Sequence, residues 1–346
     1  GDDKQVSPMA VGVDIDKMNA LRDMYIKDNI PGWHLYDAKT SLYDIAATTF
    51  QPLMLKEHFR CHPEIIGYSN RLSYDYKIKP LRDVGTCKVS PPVVKFRVDG
   101  GMRNDRQKIN IKEAENIVAL MMACMEQEEY HGMTFGAISL LGDEQALNIQ
   151  QIILKRIDPA IIEQRRIMCG NASHFQGDER DVVFLSLVDS NEDDGPLSMA
   201  GEGPDQSRKQ RYNVAASRAK DQLWVVHSLD YTKDLKSGDL RRGLLEYAEN
   251  PKAISMLGEQ VTVAAESPFE EAVGKSLVAA GYHVVQQWVV GAYRIDMVVL
   301  YEGNSVAIEC DGELFHSGDD KIRADMERQT ILERIGWRFI RIRGSE

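Results

Sequence analysis

His174-Phe175-Gln176-Gly177-Asp178-Glu179-Arg180-Asp181-Val182-Val183-Phe184-Leu185-Ser186-Leu187-Val188 passes from a polar loop containing a glycine directly into an almost continuous apolar run. A strand with one wet face alternates apolar and polar side chains. Residues 181–188 do not alternate, and such a run is expected where both faces of a strand are covered. Further short apolar runs lie outward on both sides, at 92–98, 135–141, 166–169 and 222–227. Between them 62–74, 111–127, 144–157 and 210–219 have helical spacing. Strands separated by helices predict an α/β fold with a parallel, doubly wound sheet and right-handed crossovers. The stretch 191–207, rich in Gly, Asp, Glu, Ser and Pro, reads as a long loop inside that domain.

With 346 residues the chain exceeds one ordinary core and is expected to form two domains. Its 43% hydrophobic and 27% charged residues are a globular composition rather than a disordered one. No apolar run is long enough to cross a bilayer, and no secretory leader is visible, so no membrane association is expected. The five cysteines are scattered without a CxxC pair, which argues against a disulfide framework or a cysteine zinc site. A reducing, cytoplasmic location is the expectation. Net charge is 42 minus 53, or −11, which excludes a protein that coats nucleic acid by bulk positive charge. It leaves room for a motor or nuclease that holds phosphates with backbone amides and a few side chains. Positive charge is concentrated in 321–343, a run whose alternative reading is a solvated helix and strand.

The last 80 or so residues change rhythm. Residues 267–280 read as an amphipathic helix with Ser267 as N-cap and Pro268 at its first position. Three β-rich runs follow at 283–289, 293–300 and 305–310, then a helix over 321–335 ending at Gly336, then a strand over 337–342. The expected divisions are 1–52 as the tail of a preceding lobe, 53–230 as the α/β domain, 231–265 as a helical connector, and 266–346 as a small αβββαβ domain. In that last domain, alternation puts Glu309 and Asp311 on one face of a strand, with Asp296 on its neighbour. Carboxylates converging in this way suit a hard cation such as Mg2+ or Mn2+, which can activate water against a phosphodiester. Glu270 shares a helix face with Val273, Gly274 and Leu277 and is expected to face the sheet, while Glu271 pairs with Lys275.

Three stretches carry a more specific signal in combination: Leu55-Lys56-Glu57-His58-Phe59-Arg60-Cys61-His62-Pro63, then His174 to Glu179, then Arg211-Tyr212-Asn213-Val214-Ala215-Ala216-Ser217-Arg218-Ala219. With the opening Gly1-Asp2-Asp3-Lys4-Gln5-Val6-Ser7-Pro8, they resemble superfamily 1 helicases, closest to the 1B group, in motifs III to VI and in the right order. The resemblance implies a second RecA-like lobe. Gln5 would sense the terminal phosphate of ATP. Arg60 and the finger arginine Arg218 would stabilise the γ-phosphate in the transition state. Gly177 would allow close backbone approach to nucleotide and strand, and Glu179 would reach the ribose. Pro63, Asn70 and Tyr74 extend the match along the following helix. The chain has no G-x-x-x-x-G-K-[ST] loop, and Gly274-Lys275-Ser276 is a decoy inside a helix. The expectation is therefore an ATP- and Mg2+-dependent motor only together with a missing N-terminal lobe, and no ATPase activity for this chain alone. Its partner would be DNA, with RNA not excluded.

The order and spacing of Glu270, Asp296, Glu309 and Asp311, with His316, Asp325, Gln329 and Gly336-Trp337-Arg338-Phe339-Ile340-Arg341, resemble the PD-(D/E)XK nuclease fold, particularly its very-short-patch-repair branch. That resemblance implies metal ligation by Asp296 and Glu309, with Glu270 and Asp311 as further site residues. Asp311 stands where the commoner pattern has lysine, and Lys321, Arg328 or His316 are the substitutes for that charge. The leading reading is a helicase joined to a metal-dependent endonuclease-like domain. The alternative is a nucleic-acid-binding or docking module with an inactive nuclease fold. A small-molecule α/β enzyme would need a cofactor loop or nucleophile elbow, and neither is present.

Overall fold

The computed structural model describes residues 2–6, 14–26, 30–38, 40–104, 106–191, 195–200, 207–251, 268–280, 282–290, 293–301, 304–311, 319–334 and 337–343. It divides into two compact units, Gly1–Ile78 with Cys87–Gly258, and Lys79–Thr86 with Glu259–Glu346.

The first unit is built on a five-stranded sheet. Its elements are α1 (Ile15–Tyr25), α2 (Leu42–Ala47), α3 (Pro63–Ser73), β1 (Val93–Arg97), α4 (Ile111–Met125), β2 (Phe135–Ser139), α5 (Asp143–Arg156), α6 (Pro159–Gln164), β3 (Met168–Asn171), β4 (Arg180–Ser186), α7 (Ser207–Ala216), β5 (Ala219–His227) and α8 (Leu240–Glu249). The strand order is β1-β5-β4-β2-β3 and every pairing is parallel. Val183 of β4 sits between Gly136 of β2 and Leu223 of β5. The apolar run of β4 is unbroken because both faces are covered. Val183, Leu185 and Leu187 join one core with Ile65 and Ile66 of α3 and with Val214 and Ala215 of α7. Val182 and Phe184 join the opposite core with Ile117, Val118 and Met121 of α4 and Ile149 and Ile153 of α5. This is the expected doubly wound α/β lobe.

Several boundaries differ from the reading of the sequence. The helix expected over 210–219 stops at Ala216. Ala219 is already paired with Arg180, so the parallel ladder of β4 and β5 takes over from the last helical turn. β3 starts at Met168 because Arg166, at φ 47, closes the turn after α6. The signal for α6 itself was present: Asp158 caps it by accepting from Ala160 N, and Pro159 occupies its first position. The stretch 231–265, read as a connector, contains α8, which buries Leu240, Leu244, Leu245, Tyr247 and Ala248 in the core shared with α3 and α7.

The second unit has α9 (Pro268–Ala279), β6 (His283–Val290), β7 (Tyr293–Tyr301), β8 (Asn304–Asp311), α10 (Asp319–Arg334) and β9 (Phe339–Arg343). Its sheet runs β6-β7-β8-β9, antiparallel for the first two pairings and parallel between β8 and β9. The order αβββαβ is the expected one; Ser267, its expected cap, lies outside the described residues. Val290, Ile295, Val298, Ala307 and Leu332 form its core, beside Trp288 and Trp337 at 6.2 Å between ring centroids. Lys79–Thr86 belongs to this unit, with Lys79 Nζ 5.5 Å from the centre of the Tyr293 ring. Among the described residues no helix is long and apolar enough to cross a membrane.

Candidate functional sites

In the first unit Glu179 immediately precedes β4 and Arg218 immediately precedes β5, so both stand at the amino ends of two adjacent parallel strands. Doubly wound sheets usually bind ligands at the carboxyl ends. Here the basic residues gather at the opposite edge. Arg60, one turn before α3, reaches the same edge: its Nε is 2.5 Å from Glu179 Oε2. His58 Nε2 accepts the N–H of Cys61 at 3.1 Å, which folds the backbone around Arg60.

Arg60, Arg218 and Gln5 line one cavity of about 380 Å³, together with Asp2, His58, Tyr74 and Ser217. Arg218 is only 2% exposed. Its Nε donates to Val214 O at 3.0 Å, while its Nη1 makes longer contacts to the carbonyls of Phe175 at 3.5 Å and Asp178 at 3.4 Å. Burial, followed by the charge of Arg60, lowers its affinity for a proton below that of an ordinary guanidinium. His58 is pushed down to about 4 by burial and then by Arg60 and Arg218, so its ring is neutral at pH 7. The wall carries two guanidiniums, Arg60 and Arg218, and two carboxylates, Asp2 and Glu57.

Gln5 is held in place from this unit. Its Nε2 donates to Asp2 Oδ2 at 2.8 Å, and Tyr74 Oη donates to the same oxygen at 2.7 Å. Asn213 Nδ2 donates to Lys4 O at 2.8 Å, Gln210 Nε2 to Asp3 O at 2.9 Å, and Gln176 Nε2 to Val6 O at 3.1 Å. Two expected site residues behave differently. Glu179 is the partner of Arg60 and is not part of the cavity wall. Gly177 has φ +84, a backbone conformation that favours glycine, with no protein atom within 4 Å of where a Cβ would stand. Asn70 does not reach the cavity either; its side chain holds both the N–H and the C=O of Ile78, at 2.9 and 2.8 Å. His58 and Ser217 were not singled out from the sequence, although each adjoins or nearly adjoins an arginine that was.

In the second unit Asp296 on β7 and Glu309 on β8 are brought together. Asp296 Oδ2 accepts from the N–H of Cys310 at 2.8 Å. Glu309 is 5% exposed, and its Oε2 is 2.6 Å from Arg328 Nη2 of α10. Its Oε1 is buried without a hydrogen-bond partner among the described residues. Burial pushes the Glu309 carboxyl up to about 7, with Asp296 adding to the rise and Arg328 opposing it. Among the described residues no three His, Cys, Asp or Glu side chains stand close enough to hold a metal ion, so Glu270, half-buried on α9, does not complete a set with these two. The Asp311 backbone pairs with Arg343; its side chain, that of Lys321 and all of His316 lie outside the described residues. Of the substitutes named for the absent lysine, Arg328 is the one the structure places at the carboxylates. Gly274-Lys275-Ser276 lies within α9, as expected of a decoy.

Residues 38–230 match the family model AAA_12, described as an AAA domain. The chain belongs to the AAA_12 family. The AAA domain accounts for nearly all of the first unit's sheet. Residues 269–346 match a second family model, REase_MTES_1575, a restriction-endonuclease-like family by its name. Among curated proteins, the chain is 26% identical over 330 residues to an ATP-dependent helicase, the MG140 homolog of Mycoplasma pneumoniae, covering 84% of this chain and 28% of that protein. It is 25% identical over 236 residues to the 5'-3' DNA helicase ZGRF1 of Mus musculus, covering 66% of this chain and 11% of that one. It is 29% identical over 189 residues to the replicase polyprotein 1ab of Alphamesonivirus 1, covering 50% of this chain and 3% of the polyprotein. The matched part of the chain thus spans less than a third of each of these relatives.

Proposed function

We propose that this chain is the second RecA-like lobe, motifs III to VI, of a superfamily 1 (1B-like) ATP-dependent helicase, joined to a PD-(D/E)XK endonuclease-like domain and acting on DNA. The observation that carries the motor reading is the convergence of Gln5, Arg60 and Arg218 on one cavity, beside a His58 kept neutral by burial and then by the two guanidiniums. These residues fit the terminal phosphate of a nucleotide. Arg218 is anchored through Nε, while the long Nη1 contacts at 3.4 and 3.5 Å give it donors that an anion can claim cheaply. Phosphoryl transfer is catalysed mainly by positioning and charge, which is what two guanidiniums and an amide supply. The lobe contributes no phosphate-cradling loop, so turnover requires a partner lobe that does; ATP and Mg2+ belong to that composite site.

The second domain supports cleavage through Asp296 and Glu309. As paired oxygen donors they fit one divalent cation, and the partnerless Oε1 of Glu309 is the atom that such an ion would satisfy. A bound Mg2+ or Mn2+ supplies activated water to a phosphodiester. The docking-module alternative is favoured by a different observation, the Arg328 guanidinium already seated on Glu309.

ATP hydrolysis tests the motor reading in a protein that joins this chain to a phosphate-loop lobe. Arg218→Ala should leave nucleotide binding nearly intact and lower hydrolysis roughly 10³-fold or more. Unchanged turnover would overturn the assignment. Steady-state phosphate release by the present chain alone, above background, would count against it equally.

A further inference from the structure

A buried carboxylate with a half-buried one beside it, already met by a guanidinium, is a cation site with its own cation built in. Glu309 is 5% exposed, one oxygen is 2.6 Å from Arg328, and the other has no partner among the described residues. Asp296 adds a second negative charge at the same place and is fixed by the Cys310 N–H. Arg328 comes from α10 and lies one turn before Leu332, which is fully buried in the core of the unit, so the two share the helix face turned to the sheet. Its Nη1 donates to Arg294 O at 3.0 Å on β7, which holds the guanidinium between the two carboxylate-bearing strands. Arg341, the register partner of Glu309 on β9, is engaged through Nε with Gln329 Oε1 at 2.9 Å.

We infer that Arg328 is an autoinhibitory counter-ion of the Asp296–Glu309 site, and that a divalent cation enters only as the guanidinium leaves Glu309. The inference rests on the proposal that these carboxylates take Mg2+ or Mn2+. A divalent ion on Glu309 Oε1 would stand beside the guanidinium held on Oε2 of the same carboxylate, and the repulsion between the two cations is little screened in a buried setting. The metal-free pair is therefore stable and closed. A site opened by removing the guanidinium should take the ion more tightly.

Binding of Mn2+ to the full chain, followed by the loss of the free-ion electron paramagnetic resonance signal, tests this without any activity. Arg328→Gln should bind Mn2+ about tenfold or more tightly than the parent, because the competing charge is gone. Arg328→Lys, which keeps the charge but loses the forked donors, should fall between the two. Asp296→Asn should lose most of the binding in every background. If Arg328→Gln fails to show cooperative unfolding, the comparison of Arg328→Lys with the parent decides, and equal or weaker binding by the lysine variant overturns the inference. Binding that Asp296→Asn removes but neither Arg328 variant tightens would sink the counter-ion role and leave the metal site standing. No Mn2+ binding by parent or variants would remove both.

Discussion

Arg60 Nε stands 2.5 Å from Glu179 Oε2, although the two residues lie far apart in the sequence of the AAA domain. The contact joins the turn before α3 to the loop before β4, and it sets Arg60 beside the cavity that Arg218 lines from the start of β5. Glu179 is thus a counter-ion of the Arg60 guanidinium.

That pair should matter for charge rather than for stability. The side chains are 35% and 42% exposed, and ion pairs of that exposure contribute about 1 kcal/mol or less. Glu179→Gln is expected to change the unfolding free energy in urea by no more than that. It should also strengthen the binding of inorganic pyrophosphate, read by calorimetry, because one negative charge beside the arginines is gone.

The cluster around Arg241 should behave in the opposite way. Its Nη1 is 2.6 Å from Asp189 and its Nη2 is 2.7 Å from Asp239, whose side chains are 8% and 0% exposed. Arg103 reaches the other oxygen of Asp189 at 2.5 Å. Arg241→Ala leaves the buried Asp239 without its cation and Asp189 with Arg103 alone, and a loss of about 3–5 kcal/mol is expected in equilibrium denaturation. A loss below about 1 kcal/mol would show that water reaches the cluster.

Glu113 gives the first unit a pH dependence. It is fully buried and accepts from Ser186 Oγ at 2.7 Å, Val188 N at 2.9 Å and Ser228 Oγ at 2.8 Å. Burial pushes its carboxyl up from 4.5 to about 7 despite those bonds. The folded state therefore binds the extra proton between those values. The contribution to stability is fully present below about 4.5 and is lost as the pH rises through about 7. His58 and His227, both held at about 4 by burial, act in the opposite sense below their ordinary value of 6.5. Comparison of the parent with Glu113→Gln isolates the carboxyl: the gap in unfolding free energy should shift in favour of the variant between pH 5 and pH 8. A gap independent of pH would refute the assignment.

Gly177→Ala should cost about 1–2 kcal/mol from the left-handed backbone at φ +84 alone, since nothing lies within 4 Å of the added carbon. Thermal unfolding measures it. A much larger loss would point to a contact rather than to conformation.

How much of this was legible depends on the range of the interaction concerned. The five parallel strands were legible because a strand covered on both sides leaves a continuous apolar run, as Val182 to Leu185 does. The small unit was legible because glycine and alternation punctuate β6, β7 and β8. Helix ends were less so: α7 stops at Ala216 because β5 begins its ladder at Ala219, a competition that involves a strand about forty residues earlier. α8 was missed as a core element because its apolar face has meaning only against α3 and α7.

The amino-acid sequence by itself determined the two-part α/β organisation and marked out the arginines and carboxylates proposed to carry chemistry. These follow from local periodicity and residue type, which need no partner to be read. Only the tertiary structure decided which charges meet: Arg60 with Glu179, Arg218 with backbone carbonyls, and Arg328 with Glu309. The physical reason is that a charged side chain takes its partner from space rather than from sequence. Once buried, it must be satisfied by whatever the packing of helices on sheets brings within about 3 Å.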